Sequence, residues 1–377
     1  MMFIGTLSLN INTHDLNYGA MLHSWAFQRF LIKYYNVNAE VINYITPIYE
    51  NKNLKYPFID SLKEGKIKEF LIKLIKAKNH CIRYNKFQNF IISNFIVSKI
   101  KYNQKLLEKS KLSYDVIICE SDVIWSADFF KGKYDKTFFC ALNSMKNTRN
   151  IIYAASMANA DLSKDNEKEL KNLLKDLMYI SCRESYAVKY IENLINRKVY
   201  HVLDPTLLLK EEDYIPIISR NLVSQKYLLI YMPVGNNSSI INSATEYAKK
   251  HNLKIIEISS SLRNILKHKV VANAGIEEFL SLIKNAEIIF SDSFHAVCFS
   301  IIFKKQFYAF SRRTGRKIED ICREFDLEER FIKNKFIEGK DINYKEVYNI
   351  LNKKRKESKK YLDMALNNIS YENSKQI

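Results

Sequence analysis

The chain has 377 residues, 47% of them hydrophobic and 27% charged, which allows two or three domains with full cores and excludes wholesale disorder. Lysine and arginine number 59 against 41 acids, and the net charge of +18 favours an anionic partner such as phosphate, carboxylate, nucleic acid or an acidic membrane face. There are 8 glycines, against a usual share of about 7%. None are spaced as G-x-G-x-x-G or G-x-x-x-x-G-K, which removes the standard dinucleotide and P-loop phosphate cradles.

In chain order, short apolar runs alternate with helical patterns. Strands are expected at Phe3–Leu9, Glu40–Asn43, Asp115–Cys119, Asn150–Ala155, Met178–Cys182 and Lys198–Leu203. A second series follows at Tyr227–Met232, Lys254–Ile258, Glu287–Ser291 and Gln306–Ala309. Helical patterns between them include Ala20–Tyr35, Lys164–Leu177, Ser185–Leu194, Ile240–His251 and Ile276–Asn285. Strands apolar on both faces and separated by helices predict an α/β chain of parallel sheets, doubly wound. The two series part near Pro205–Lys226, giving a first domain at 1–210 and a second at 221–377 with a terminal helix. Two such domains would face each other across a cleft at the carboxyl ends of their strands.

One segment interrupts the alternation, a basic helical insertion at about 47–110. Residues 51–90 hold ten Lys or Arg and three Asp or Glu. Ile67, Phe70, Leu71, Leu74 and Ile75 fall on one helical face, with Lys66, Lys68, Lys73 and Lys76 beside and opposite it. The segment reads either as a helix lying on an anionic membrane or as a surface helix burying that face on its own domain. The six cysteines show no C-x-x-C spacing and most lie in apolar runs, so buried reduced thiols are expected. No uncharged apolar run approaches the ~20 residues of a membrane span, and the first residues carry no positive n-region, so a cytoplasmic chain is expected.

Five segments carry the residues suited to chemistry. Ser291-Asp292-Ser293-Phe294-His295 follows an apolar strand and opens an apolar helix, the position where α/β folds bind anions and place catalytic groups. His295 there suits general acid–base work near neutral pH. Arg183 ends the strand before it and can grip a phosphate or carboxylate, or else pair with Glu184. Asn17-Tyr18-Gly19-Ala20 forms the first strand-to-helix turn, and Ser121-Asp122 with Trp125 follows the third strand, where a Trp suits a sugar ring or a core. Arg312 and Arg313, after the last strand, could clamp a phosphate or form an exposed basic loop.

These turns, in this order, resemble a known family. Asn17-Tyr18-Gly19-Ala20-Met21-Leu22 with Trp25-Ala26-Phe27-Gln28, then Ser121-Asp122-Val123-Ile124-Trp125 and Ile152-Tyr153-Ala154-Ala155-Ser156, look like its motifs. So do Ile180-Ser181-Cys182-Arg183-Glu184, Val202-Leu203-Asp204-Pro205-Thr206-Leu207 and Ser291-Asp292-Ser293-Phe294-His295. The family is that of the bacterial polysaccharide pyruvyl transferases, and the resemblance spans roughly residues 1–45 and 113–325. It implies a GT-B-like pair of Rossmann domains, phosphoenolpyruvate as donor, a sugar acceptor, and Arg183 and His295 at the donor. Three positions depart from it: Glu120 and Ala296 stand where the family usually has Gly, and Val123 where it usually has Gln.

On this reading the chain is a transferase moving pyruvate onto a sugar of a surface polysaccharide or its lipid-linked precursor, as a ketal. His295, Asp292 and Arg183 would be catalytic. Arg183, Ser293, His295, Arg312 and Arg313 would hold the donor, and Asn17, Tyr18, Ser121, Asp122 and Trp125 would line the acceptor side. Asp292, or Asp15 near the first turn, could take a hydroxyl proton. No metal cluster is visible and no cofactor is required beyond phosphoenolpyruvate as co-substrate. Expected partners are that donor, a sugar or lipid-linked oligosaccharide and an anionic membrane surface at the inner face of the cell membrane, with no nucleic acid. Two alternatives stay open: a GT-B glycosyltransferase using a nucleotide sugar, or a non-catalytic cationic protein binding glycan or membrane.

Overall fold

The computed structural model describes residues 1–13, 16–158, 162–233, 237–260, 264, 268–311 and 316–367. The first sheet contains β1 (Phe3–Leu7), β2 (Asn38–Val41), β3 (Val116–Glu120), β4 (Arg149–Ala155), β5 (Tyr179–Cys182) and β6 (Tyr200–His201). Its order is β2-β1-β3-β4-β5-β6, and every neighbouring pair is parallel. The second contains β7 (Tyr227–Tyr231), β8 (Lys254–Ile258), β9 (Lys269–Val271), β10 (Ile288–Ser291), β11 (Gln306–Phe310) and β12 (Phe331–Ile332). Its order is β12-β11-β10-β7-β8-β9, again all parallel. The doubly wound α/β class read from the sequence is the class observed. β9 and β12, three and two residues long, were not foreseen, whereas the equally short β6 was, because Val199, Val202 and Leu203 extend the run around it.

All five residues of β3 and all five of β7 are buried, as parallel strands covered by helices on both faces must be. One core lies on the outer side of each sheet, and a third is continuous between the two domains. Tyr18, on the first helix, Tyr18–Tyr35, stacks on Phe279 of the second domain with ring centroids 4.3 Å apart and gives its hydroxyl proton to the Ala274 carbonyl at 2.8 Å. Trp25 on the same helix meets Tyr214 at 5.4 Å, and Tyr214 in turn meets Phe299 of the second domain. On another side, the Ser185 backbone N–H donates to Asp320 at 2.6 Å.

The terminal helix, Tyr344–Leu366, belongs to both halves. The Tyr348 hydroxyl donates to the Ile302 carbonyl at 2.6 Å in the second domain. Further on, Ser358 accepts from Leu203 N–H at 2.9 Å, and the Tyr361 hydroxyl donates to the Ile152 carbonyl at 2.7 Å, both in the first. At 23 residues the helix is about 35 Å long, enough to cross the junction. Grouping it with the second domain, as the sequence suggested, describes only its beginning.

Candidate active site

The carboxyl ends of both sheets open on one cleft of about 690 Å³. From the first domain it is lined by Leu9, Asn17, Tyr18, Arg83, Asp122 and Val123, and from the second by Asp292, Ser293, Phe294, His295 and Lys317, among others. Asn17 shapes its first wall. Its side-chain oxygen accepts from Gly19 N–H at 2.9 Å and Ala20 N–H at 3.3 Å, so the helix starts at Tyr18, two residues earlier than its apolar pattern suggested. Ser293 caps the opposing helix, Phe294–Ile302, by accepting from Ala296 N–H at 3.4 Å, which places His295 in its first turn.

His295 is inserted between the domains. A Cβ on Gly19 would lie 1.9 Å from His295 Nδ1, so the imidazole fits there only because residue 19 has no side chain. Its Nε2 is buried without a hydrogen-bond partner and sits 3.6 Å from Asp204 Oδ2, beyond hydrogen-bond reach. Burial lowers the affinity of His295 for a proton. Asp204 counters that, Arg183 and His23 add to it, and the net shift is downward from the ordinary histidine value.

Arg183 and His295, 112 residues apart in sequence, do reach the same junction. The Arg183 guanidinium lies 4.5 Å from the ring centre of Phe294, the residue before His295. It is not, however, an open clamp. Nε donates to Glu184 at 2.9 Å, and Nη1 to Asp204 at 2.8 Å and to Ser121 Oγ at 3.2 Å, with the side chain fully buried. Only Nη2 lacks a partner, and it points toward Asp122, 3.9 Å away. The charge of Arg183 is thus spent on carboxylates, so its place is beneath the cleft floor. Asp204 is held well below the carboxylate range: burial opposes this, and His295, Arg183 and His23 outweigh it.

The remaining expectations divide. Asp292, Ser293, Asn17, Tyr18 and Asp122 line the cleft. Ser121 lies just beneath, its hydroxyl donating to Asp204 at 3.0 Å. Trp125 does not reach the cleft: it is fully buried, stacks on Phe139 at 5.4 Å and donates Nε1–H to the Phe138 carbonyl at 3.2 Å. The sugar-stacking reading of Trp125 is therefore replaced by a core role. Arg312, Arg313 and Asp15 lie outside the described residues. The described cations on the cleft wall are Arg83 and Lys317, neither foreseen. Arg83 covers the Tyr18 ring at 4.6 Å, donates Nη2–H to the Leu16 carbonyl at 2.6 Å, and keeps a buried Nε without a partner.

Glu120 resolves in an unexpected way. Its negative charge is not in the cleft but is turned onto His23, whose Nδ1 lies 2.9 Å from Glu120 Oε2. Ser24 Oγ donates to the other oxygen, and Asn10 Nδ2 donates to Ser24 Oγ at 2.7 Å. His23 Nε2 is left without a partner, 3.9 Å from Asp122 Oδ2, and the His23 ring lies 6.0 Å from that of His295. Burial would lower the His23 pKa, but Glu120, Asp122 and Asp204 together raise it above the ordinary value. Burial raises Glu120 more than His23 and Ser24 lower it. Asp122 is pushed up by burial, yet His23, Arg183, Lys317 and His295 bring it below the usual range.

His23 and Glu120 are 97 residues apart, so no local spacing connects them. The backbone is strained at the same place. Ser121 and Asp122 have φ of 50° and 55°, and Ala154, with φ of 54°, marks a register break between β4 and β5. Left-handed backbone at non-glycine residues costs roughly 1–3 kcal/mol each and concentrates where a site fixes the geometry. Among the described residues no three His, Cys, Asp or Glu side chains are arranged to hold a metal ion.

Two parallel sheets meeting in a charged, strained cleft define a GT-B-like fold of the two-Rossmann class. The structure of UDP-N-acetylglucosamine 2-epimerase from Rickettsia bellii shares this fold, with a TM-score of 0.52 at 13% identity over 97% of this chain and 96% of that one. The UDP-GlcNAc 2-epimerase of Methanocaldococcus jannaschii gives 0.47 at 15% identity over 93% and 98%, and the E. coli heptosyltransferase WaaC gives 0.42 at 8% over 94% and 100%. No curated protein sequence matches the chain. The family model for polysaccharide pyruvyl transferase matches residues 17–314, and the chain belongs to that family, as a transferase.

Proposed function

We propose that the chain transfers pyruvate from phosphoenolpyruvate to two hydroxyls of one sugar, in a bacterial surface polysaccharide or its lipid-linked precursor, working at the inner face of the cell membrane. The observation that carries this reading is the junction itself: His295 from one domain and Asp122 from the other face one cleft, with Arg83 and Lys317 on its walls. Phosphoenolpyruvate brings a phosphate and a carboxylate for those two cations.

In the reaction, one sugar oxygen adds to the central carbon of the donor as its methylene carbon takes a proton. The second sugar oxygen displaces phosphate, and the C–O bond to phosphate breaks with its electron pair leaving on the phosphate. Two hydroxyl protons are lost and one C–H bond is gained, so the balance is one proton leaving with phosphate or a base. His295 supplies the proton to carbon. Its lowered pKa makes it a strong acid once protonated, and an anionic donor beside it favours that protonated form. Asp122, ionised and backed by His23, takes a hydroxyl proton. Neither role calls on a cofactor.

Isotope-labelled phosphoenolpyruvate with a panel of glycosides tests the reading by phosphate release and by NMR of the ketal methyl. The expected result is release that requires a sugar with a free hydroxyl pair. Tight calorimetric binding of a UDP- or CMP-sugar, with none of phosphoenolpyruvate, would favour a glycosyltransferase instead.

A further inference from the structure

The helix Ile67–Asn94 has 28 residues, and of these only Phe87 and Phe90 are fully buried, both in its last third. Upstream the apolar face read from the sequence points to solvent. Ile67, Leu71 and Ile75, spaced i, i+4, i+8, are 57%, 51% and 75% exposed, with Ile72 and Leu74 at 47% and 44% beside them. Single exposed apolar residues are ordinary, but a continuous face of five on one helix marks an interaction surface. Lys68 and Lys78 share that face by helical spacing, are exposed, and take part in none of the ion pairs among the described residues. Lys66 and Lys73, by contrast, are paired with Glu64 and Glu69.

The opposite side of the helix leads toward the cleft. Lys73, Lys76, His80 and Arg83 line a side groove of about 180 Å³, and Arg83 and Ser260 belong to both groove and cleft. No described helix is long and apolar enough to cross a membrane, so this face would have to lie along a surface. Charge selects the occupant. A second copy would bring its own ten basic and three acidic residues of 51–90 against the same segment and be repelled, whereas an anionic bilayer matches both the apolar ridge and its lysines.

We propose that the Ile67–Leu71–Ile75 ridge, with Lys68 and Lys78, docks the protein on an anionic lipid bilayer, with the groove-lining side of the helix turned back toward the cleft. The docking stands apart from the pyruvyl-transfer reading; only its purpose rests on it. Co-sedimentation of the full chain with phosphatidylcholine vesicles, with and without phosphatidylglycerol, at low and high salt, tests it. The variants are Leu71→Ser/Ile75→Ser and Lys68→Glu/Lys78→Glu, all at exposed positions, checked by circular dichroism. Binding is expected only with phosphatidylglycerol, weakened roughly tenfold or more by either variant and by salt. The proposal is overturned by absence of binding at low salt, by binding indifferent to Leu71→Ser/Ile75→Ser, or by sedimentation showing a self-association that those serines abolish. Phosphate release from phosphoenolpyruvate in vesicle-free solution reports separately on the reaction.

Discussion

Asp204 is the residue that ties the buried charges together. It accepts from Arg183 at 2.8 Å, from Ser121 and from Thr206, and it stands 3.6 Å from His295. Replacing it by Asn leaves Glu184 as the one carboxylate, among the described residues, within hydrogen-bond distance of the buried Arg183, and breaking such a pair costs about 3–5 kcal/mol. Denaturant unfolding of Asp204→Asn should therefore show a loss of that size, and a loss below about 1 kcal/mol would contradict the network. Because the folded pKa of Asp204 is depressed, its contribution is present above the ordinary aspartate value and is lost as pH falls through the folded one. His23 runs the other way. Its folded pKa is raised, so its contribution holds below the ordinary histidine value and fades as pH rises through the folded value. Stability measured against pH should decline on the alkaline side in the native chain, and His23→Gln should flatten that decline. For catalysis, His295→Gln should reduce turnover by about 100-fold or more, with the fold intact. Since His295 must be protonated and its pKa is lowered in the free protein, kcat/KM should fall with rising pH earlier than kcat does. The places of Arg183 and His295 at the junction were legible in the sequence because one closes a strand and the other opens a helix; that the charge of Arg183 is taken up by Glu184 and Asp204 was not. The role of His23 was not, since its partner is far away in the chain.

At the scale of elements, two capped helices bring the domains into register on one glycine. Gly19 in the first turn of one helix touches His295 in the first turn of the other. Gly19→Ala puts a methyl where the imidazole lies, so either His295 or the domain junction must move. A fall in kcat/KM of tenfold or more is expected, since small displacements of reacting groups carry penalties of that order. An alanine variant with native kinetics would show that His295 is not held there during turnover. Every strand of four residues or more, and the two-residue β6 within its longer apolar run, could be read from apolar runs and turns. The course of the terminal helix could not, because its stripe of Leu362, Ala365 and Leu366 says that it packs but not on which domain. For Ile67–Ile75 the sequence left an outward face and a face buried on its own domain both open, for the same reason: periodicity finds an apolar face and leaves its partner unnamed.

For the whole molecule, the excess of 18 positive charges has a local rather than a uniform meaning. The buried junction is rich in carboxylates, with Glu120, Asp122, Glu184 and Asp204 around Arg183, His23 and His295. Arg83 and Lys317 stand outside it on the cleft wall, and Lys68 and Lys78 on the projecting helix. Anion attraction therefore works at the approach, and the charged groups beneath the floor fix geometry and protonation. The proposed activity of this cleft is the movement of pyruvate from phosphoenolpyruvate to a sugar. The most direct measurement is phosphate release from phosphoenolpyruvate by the native chain and by His295→Gln, with glycosides bearing free hydroxyl pairs, read with the NMR signal of the ketal methyl. Acceptor-dependent phosphate release with a matching ketal signal is expected, both lost in His295→Gln. Phosphate release that is equal in the two proteins, or no turnover by a native chain that binds a nucleotide sugar tightly, would contradict it.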